Sequence, residues 1–168
     1  MSPNVPQPDR VFEDCVVDYV RMNAEIVDQS AHGRPEWQFR SAYHLLLQHG
    51  RFFTARSRPP QVPKMPDGFC YRNAAHTAES HPELGLVYTE GFAFHILPVQ
   101  HAWCVSPDGI VVDPTWEEPG CAYFGVAVAD RSLWPTGGGG LLSDIDRCLP
   151  LLRSGIPGSA LAGLGRTI

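Results

Sequence analysis

The chain has 168 residues, 43% of them apolar and 18% charged, which is enough for one folded domain with its own core and excludes an intrinsically disordered chain. A net charge of −5 gives no sign of nucleic-acid recognition through phosphate contacts, and no nucleic-acid partner is expected. No apolar run is long enough to span a bilayer, and "MSPNVPQPDR" lacks the basic and apolar parts of a signal peptide, so the expectation is a cytoplasmic protein without a membrane partner.

The first element is a helix. "DRVFEDCVVDYVRMNAEIVDQ" places Phe12, Cys15, Val16, Tyr19, Val20 and Ile26 at helical spacing, with Asp9 after Pro8 as its cap. "PEWQFRSAYHLLLQHG" reads as a second helix, Pro35 in its first turn and Gly50 at its stop. Residues 9–50 are therefore expected to form a helical hairpin. His44 and His49 on it are expected to sit on the helix surface or against the core.

"SRPPQVPKMPDG" carries four prolines and suits an extended connector, not a helix or strand. It delivers the chain to "FCYRNAAHTAES", where Cys70, Ala74 and Ala78 share one helical face. Small residues on that face let the helix lie close against a sheet, and Cys70 falls in its first turn.

After that the periodicity changes. "GLVYTEGFAFHILPV", "QHAWCV", "GIVVDPTW" and "CAYFGVAVAD" are rich in β-branched and aromatic residues and are separated by turns, which predicts an antiparallel meander. "PTGGGG" reads as a flexible connector and "LLSDIDRCLPLL" as a short helix cut at Pro150. The Gly-rich tail, about 153–168, is expected to be flexible. Helices first, then a helix bearing Cys70, then strands, is an α+β order within one domain whose core runs over about 60–130.

The turn "SPDG" selects a register. Pro107 suits the second position of a type I turn and Gly109 a left-handed residue, the signature of a three-residue loop with a bulge at the glycine. In that register Ser106 faces Ile110 and Trp103 faces Asp113, so His101 lies diagonally across from Asp113 on the same face. A two- or four-residue loop would put them on opposite faces. A carboxylate bonded to one ring nitrogen orients an imidazole and stabilises its protonated form, leaving the other nitrogen to serve a nucleophile.

Five cysteines without a CxxC pair argue against a disulfide framework or a zinc site, and no metal or other cofactor is expected. Cys70, at a helix start, is the nucleophile candidate, because a helix N-terminus and a neighbouring imidazolium stabilise a thiolate. Cys15 lies on a helix face among Val and Phe, Cys104 alternates away from His101, Cys121 begins a strand and Cys148 lies in the last helix.

A Cys at a helix start, then an "EGF" strand, then "HAW", then "DPTW", resembles the transglutaminase-like branch of the papain-like cysteine enzymes over about Phe69 to Trp116. The resemblance implies a papain/transglutaminase-like core, with Cys70 as nucleophile, His101 as general base and acid, and Asp113 as the residue that orients His101. Papain carries a Gln six residues before its Cys that contributes to the oxyanion hole; Lys64 stands at that spacing here. The chain is too short for the calcium-binding regions of animal transglutaminases, so the resemblance implies the superfamily's chemistry and not protein crosslinking.

The expected function is acyl transfer from an amide or ester through a thioester on Cys70. Hydrolysis by a peptidase, amidase or deamidase is the default; transfer to an amine on a specific carrier or peptide, or a non-catalytic binding module in the same cleft, are the alternatives. The expected partner is a peptide, protein or small amide or ester substrate. Tyr71, Asn73, Glu90, Trp103 and Trp116 are candidates for contacting it, each of which also suits an ordinary core or surface position.

Overall fold

The computed structural model describes residues 10–30 and 36–168. Helix α1 (Arg10–Gln29) turns Val16, Val17, Val20 and Ala24 inward, and packs on α2 (Ala42–His49), which buries Leu45 and Leu46. The buried stripe of α1 is rotated from the expected one, since Cys15 and Ile26 are exposed. The Asp9 cap and Pro35 lie outside the described residues. Helix α2 starts later than its spacing predicts because the preceding segment has other partners: Gln38 N–H and Phe39 N–H donate to the carbonyls of Arg153 and Leu152 at 3.3 and 2.9 Å.

Five antiparallel strands follow the order β1-β5-β2-β3-β4: β1 (Arg51–Phe53), β2 (Val87–Phe94), β3 (Pro98–Val105), β4 (Val111–Val112) and β5 (Ala122–Ala127). The expected meander is thus broken twice. β5 does not extend the sheet beyond β4 but returns to the far side of β2, and β1, a three-residue strand before the connector, pairs with β5. The sheet curls until its edges meet: Thr54, just past β1, accepts from Val111 N–H and donates to the Gly109 carbonyl, at 2.9 and 3.0 Å.

The curl separates two cores. Helix α3 (Cys70–Ser80) lays Ala74 and Ala78, both fully buried, over the outer face of the sheet, where Tyr88, Phe92, Ala102, Cys104, Phe124 and Val126 point. The approach is close enough for the Cys104 thiol to donate to the Ala74 carbonyl at 3.0 Å. The alternate residues, Phe53, Ala93, Trp103, Val105, Val111 and Tyr123, fill the inside of the curl. Gly91 and Gly125 face each other across β2 and β5, and a side chain at Gly125 would meet the Glu90 carbonyl and the Trp103 ring. Their bareness leaves room for the large rings beside them.

Two further expectations are corrected. Helix α4 (Ile145–Ser154) runs through Pro150. The lost backbone bond costs about 3 kcal/mol in a helix interior, and the helix offsets it by burying Cys148, Leu151 and Leu152 and by the Asp144 cap on Asp146 N–H and Arg147 N–H. The tail is not a free end: Phe52 and Arg166 exchange backbone hydrogen bonds at 2.8 and 2.9 Å, and Ala160 is buried. Arg166 also grips the buried Glu13 carboxylate of α1, at 2.7 and 2.6 Å to its two oxygens. Among the described residues no helix is long and apolar enough to cross a membrane.

The Glu13–Arg166 pair gives a test of the docked tail. Arg166→Ala strands a buried carboxylate, and since the Arg side chain is 53% exposed the expected loss is at the low end for a charged hydrogen bond, about 1–2 kcal/mol in urea unfolding. An unchanged midpoint would mean the tail is not held by α1.

Candidate active site

The β3–β4 hairpin has the register its turn predicts. Cys104 pairs with Val112 and Val105 with Val111, while Ser106 N–H reaches the Ile110 carbonyl at 2.9 Å and Gly109 takes φ +74°. His101 and Asp113 therefore meet: His101 Nε2 lies 2.7 Å from Asp113 Oδ2, both side chains being 3% exposed.

Asp113 is held by its own sequence. Its Oδ1 accepts from the N–H groups of Thr115 and Trp116 at 2.9 and 3.2 Å, so the carboxylate closes the turn that Pro114 begins. Oδ2 also accepts from Tyr123 Oη at 2.9 Å, and that oxygen in turn accepts from Gly120 N–H at 2.8 Å. Four donors thus converge on one carboxylate. Burial pushes its pKa up, but the bonds to His101, Thr115 and Trp116 outweigh burial and hold it below the ordinary value.

The same pair governs His101. Burial alone would lower its pKa; hydrogen bonds to Asp113 and to the Cys70 thiol, with their charges, raise it to about 9. The ring is an imidazolium at neutral pH. Asp113 occupies Nε2, which leaves Nδ1 as the ring nitrogen without a carboxylate. Trp116 stacks on the ring at 4.0 Å between centroids and 12° between planes, and Trp103 lies 6.1 Å away on a second contact. These rings fix the imidazole plane, and the Trp116 face suits a cation.

Cys70 is the first residue of α3 and is half-buried, so the thiol remains reachable. No side chain caps this helix end; Asn73 N–H is the first to pair back, to the Phe69 carbonyl at 2.8 Å. Among the described residues no hydrogen bond uses the Cys70 N–H, which is therefore available to an oxyanion. Lys64 is not aimed at the thiol: its Nζ donates to Asp67 Oδ1 at 2.8 Å and to the Met65 carbonyl at 3.3 Å.

The Pro-rich connector registers α3 against the hairpin. Met65 N–H donates to the Pro114 carbonyl at 2.7 Å, and Arg58 Nη1 donates to the carbonyls of Asp113 and Trp116 at 3.3 and 2.9 Å. Asn73 Nδ2 then ties α3 to both segments, through the Pro66 carbonyl at 2.8 Å and Thr115 Oγ1 at 3.0 Å.

Of the five residues expected to contact a substrate, Tyr71 and Trp116 are partly exposed beside Cys70 and His101. Asn73, Glu90 and Trp103 are buried and lie beneath the site, not in it. Trp103 fills the curl and Asn73 is the tie just described. Glu90 receives Tyr88 Oη at 2.6 Å and the N–H groups of Leu141, Leu142 and Ser143 at 2.6, 2.9 and 3.1 Å. Burial keeps its pKa above the ordinary carboxylate value despite those donors. It thereby draws the glycine segment against Tyr71: a side chain at Gly140 would collide with both Glu90 and Tyr71. Thr115 and Arg58 carried no signal of their own in the sequence, because their side chains act through partners distant along the chain.

His44 and His49 have structural neighbours. His44 lies between Ser41 Oγ and Asp28 Oδ1, and His49 packs edge-on against Phe39. The other cysteines are free thiols: Cys15 and Cys121 are exposed, Cys104 and Cys148 buried. Burial pushes Cys104 well up and Cys148 to about 11.

The sign of the His101 shift sets a pH window. Its folded pKa, about 9, exceeds the ordinary 6.5, so the stabilisation from the pair is complete below about pH 6.5 and is lost as pH rises through about 9. Asp113→Asn should cost about 3 kcal/mol at pH 6, as for a broken buried pair, and the gap to the unmodified protein should narrow toward pH 10. Denaturant unfolding of both proteins across that range checks this; a constant gap would mean His101 is uncharged at neutral pH.

No protein-family model, no curated protein and no solved structure matches the chain, so the reading of the site rests on its own geometry.

Proposed function

We propose that the protein is a thiol enzyme that transfers an acyl group through a thioester on Cys70, as in the transglutaminase-like branch of the papain-like enzymes that its motifs resemble. One observation carries the reading: His101 is bonded to a buried carboxylate through Nε2, and the half-buried Cys70 at the start of a helix is the other group beside the ring that raises its pKa. A structural histidine satisfied by Asp113 alone would not need a reachable thiol on its second nitrogen.

The steps follow from where the protons sit. The Cys70 sulfur, as thiolate beside the imidazolium, attacks the substrate carbonyl carbon, and the carbonyl π electrons move onto oxygen. The free Cys70 N–H donates to that oxyanion. His101 passes its proton from Nδ1 to the leaving nitrogen or oxygen as the C–N or C–O bond breaks, giving the thioester and a neutral imidazole. Water then attacks the thioester, His101 takes its proton, and collapse of the second oxyanion releases the acid and restores the thiolate and imidazolium. An amine in place of water gives acyl transfer instead. Asp113 keeps the ring oriented and stabilises its charge throughout.

Incubation with an activated acyl ester such as p-nitrophenyl acetate, followed by intact-mass measurement and peptide mapping, tests the reading. The expected result is a single acetyl adduct on Cys70, released by hydroxylamine, formed at least about a hundredfold more slowly in His101→Gln. Cys70→Ala should form no adduct and shift the thermal midpoint by only a few degrees, roughly 1 kcal/mol or less. Acetylation that favours the exposed Cys15 or Cys121, or is indifferent to His101, would exclude the assignment.

A further inference from the structure

Trp116 also walls an open cleft of about 630 Å³. Its walls are Ile96, Leu97, Val99 and the Trp116 ring, with His95 standing edge-on to that ring at 5.5 Å. Ile96 and Leu97 form the tip between β2 and β3 and are 84% and 57% exposed, an unfavourable placement for large aliphatic side chains without a partner. The rim is acidic. Asp67, Glu117 and Glu118 stand around the cleft, and its one ammonium, Lys64, is already held by Asp67 at 2.8 Å. Glu117 and Glu118 are exposed and form no ion pair among the described residues. Trp116 links cleft and chemistry, because the ring that walls the cleft stacks on His101.

We propose that this cleft is the substrate subsite and that it takes a peptide segment in which an aliphatic or aromatic side chain stands beside an arginine or lysine. This rests on the acyl-transfer reading for its purpose, since a peptide held there lies against the ring that stacks on His101. The apolar side chain covers Leu97, Ile96 and the Trp116 ring. The neighbouring cation meets Glu117 and Glu118, the two carboxylates that lack a partner. An acidic flank would face three carboxylates and is rejected. The volume matches that of ordinary ligand clefts, about 300–1,000 Å³, and exceeds what one small amide fills.

Binding is measured apart from turnover, by fluorescence anisotropy of labelled, capped hexapeptides on full-length Cys70→Ala protein. Three peptides differ only at two adjacent central positions: Leu-Arg, Ser-Arg and Leu-Glu. The expected result is that Leu-Arg binds at least about tenfold tighter than either other peptide. The double variant Glu117→Gln/Glu118→Gln should abolish the preference for Arg over Glu, and Leu97→Ser the preference for Leu over Ser. All three substitutions are on exposed positions, so thermal midpoints within about 2 °C of the parent establish that the variants fold. Equal binding of the three peptides, tighter binding of Leu-Glu, or an Arg preference that survives the double variant would overturn the proposal. The expected peptide pattern together with absence of a Cys70 acyl adduct would remove the acyl-transfer reading and leave the cleft's specificity standing; an adduct without the pattern would do the reverse.

Discussion

The site depends on one buried carboxylate. Asp113, 3% exposed, would be an expensive charge to desolvate alone, and it is tolerable only because four donors reach it. Two come from its own turn, one from Tyr123 on β5 and one from His101 on β3. The interaction therefore joins three parts of the curled sheet at one point. It also fixes the charge on the ring, since an imidazole bonded to a held carboxylate and to a thiol stays protonated where a free one would not.

The rest of the fold brings Cys70 to that ring. Helix α3 lies on the outer face of the sheet while His101 points inward, so Cys70 comes near the ring only because it is the first residue of its helix. The alanines of α3 set how close the helix lies, and Asn73, Arg58 and Met65 set its position relative to the turn that carries Asp113. On the other flank, Glu90 binds three successive backbone N–H groups and brings the glycine segment against Tyr71. Buried polar residues here hold segments together, and the residues left reachable are Cys70, Tyr71 and Trp116.

What the sequence disclosed follows the range of each interaction. The hairpin register was legible because "SPDG" decides it within a few residues, and once it is set His101 must face Asp113. The α3 helix and its alanine face were legible for the same reason. β1 and the tail were not, since a three-residue strand and a glycine-rich segment acquire their structure from each other and from β5, far along the chain. Pro150 misled because local propensity gave way to burial of one face of α4. Glu90 and Asn73 read as surface residues near a site because, Tyr88 apart, their partners are backbone groups and a threonine that no spacing rule connects to them.

His101 carries a proton on each ring nitrogen when Asp113 holds Nε2 and Cys70 neighbours the ring, and ¹⁵N NMR of the His101 ring measures that state directly. Both ring nitrogens should be protonated at pH 7, with loss of that state centred at about pH 9. In Cys70→Ala the midpoint should fall, because the thiol's hydrogen bond and charge are among the forces that raise it. A neutral ring at pH 7, or a midpoint that Cys70→Ala leaves in place, would contradict the account and leave His101 and Asp113 as a buried structural pair.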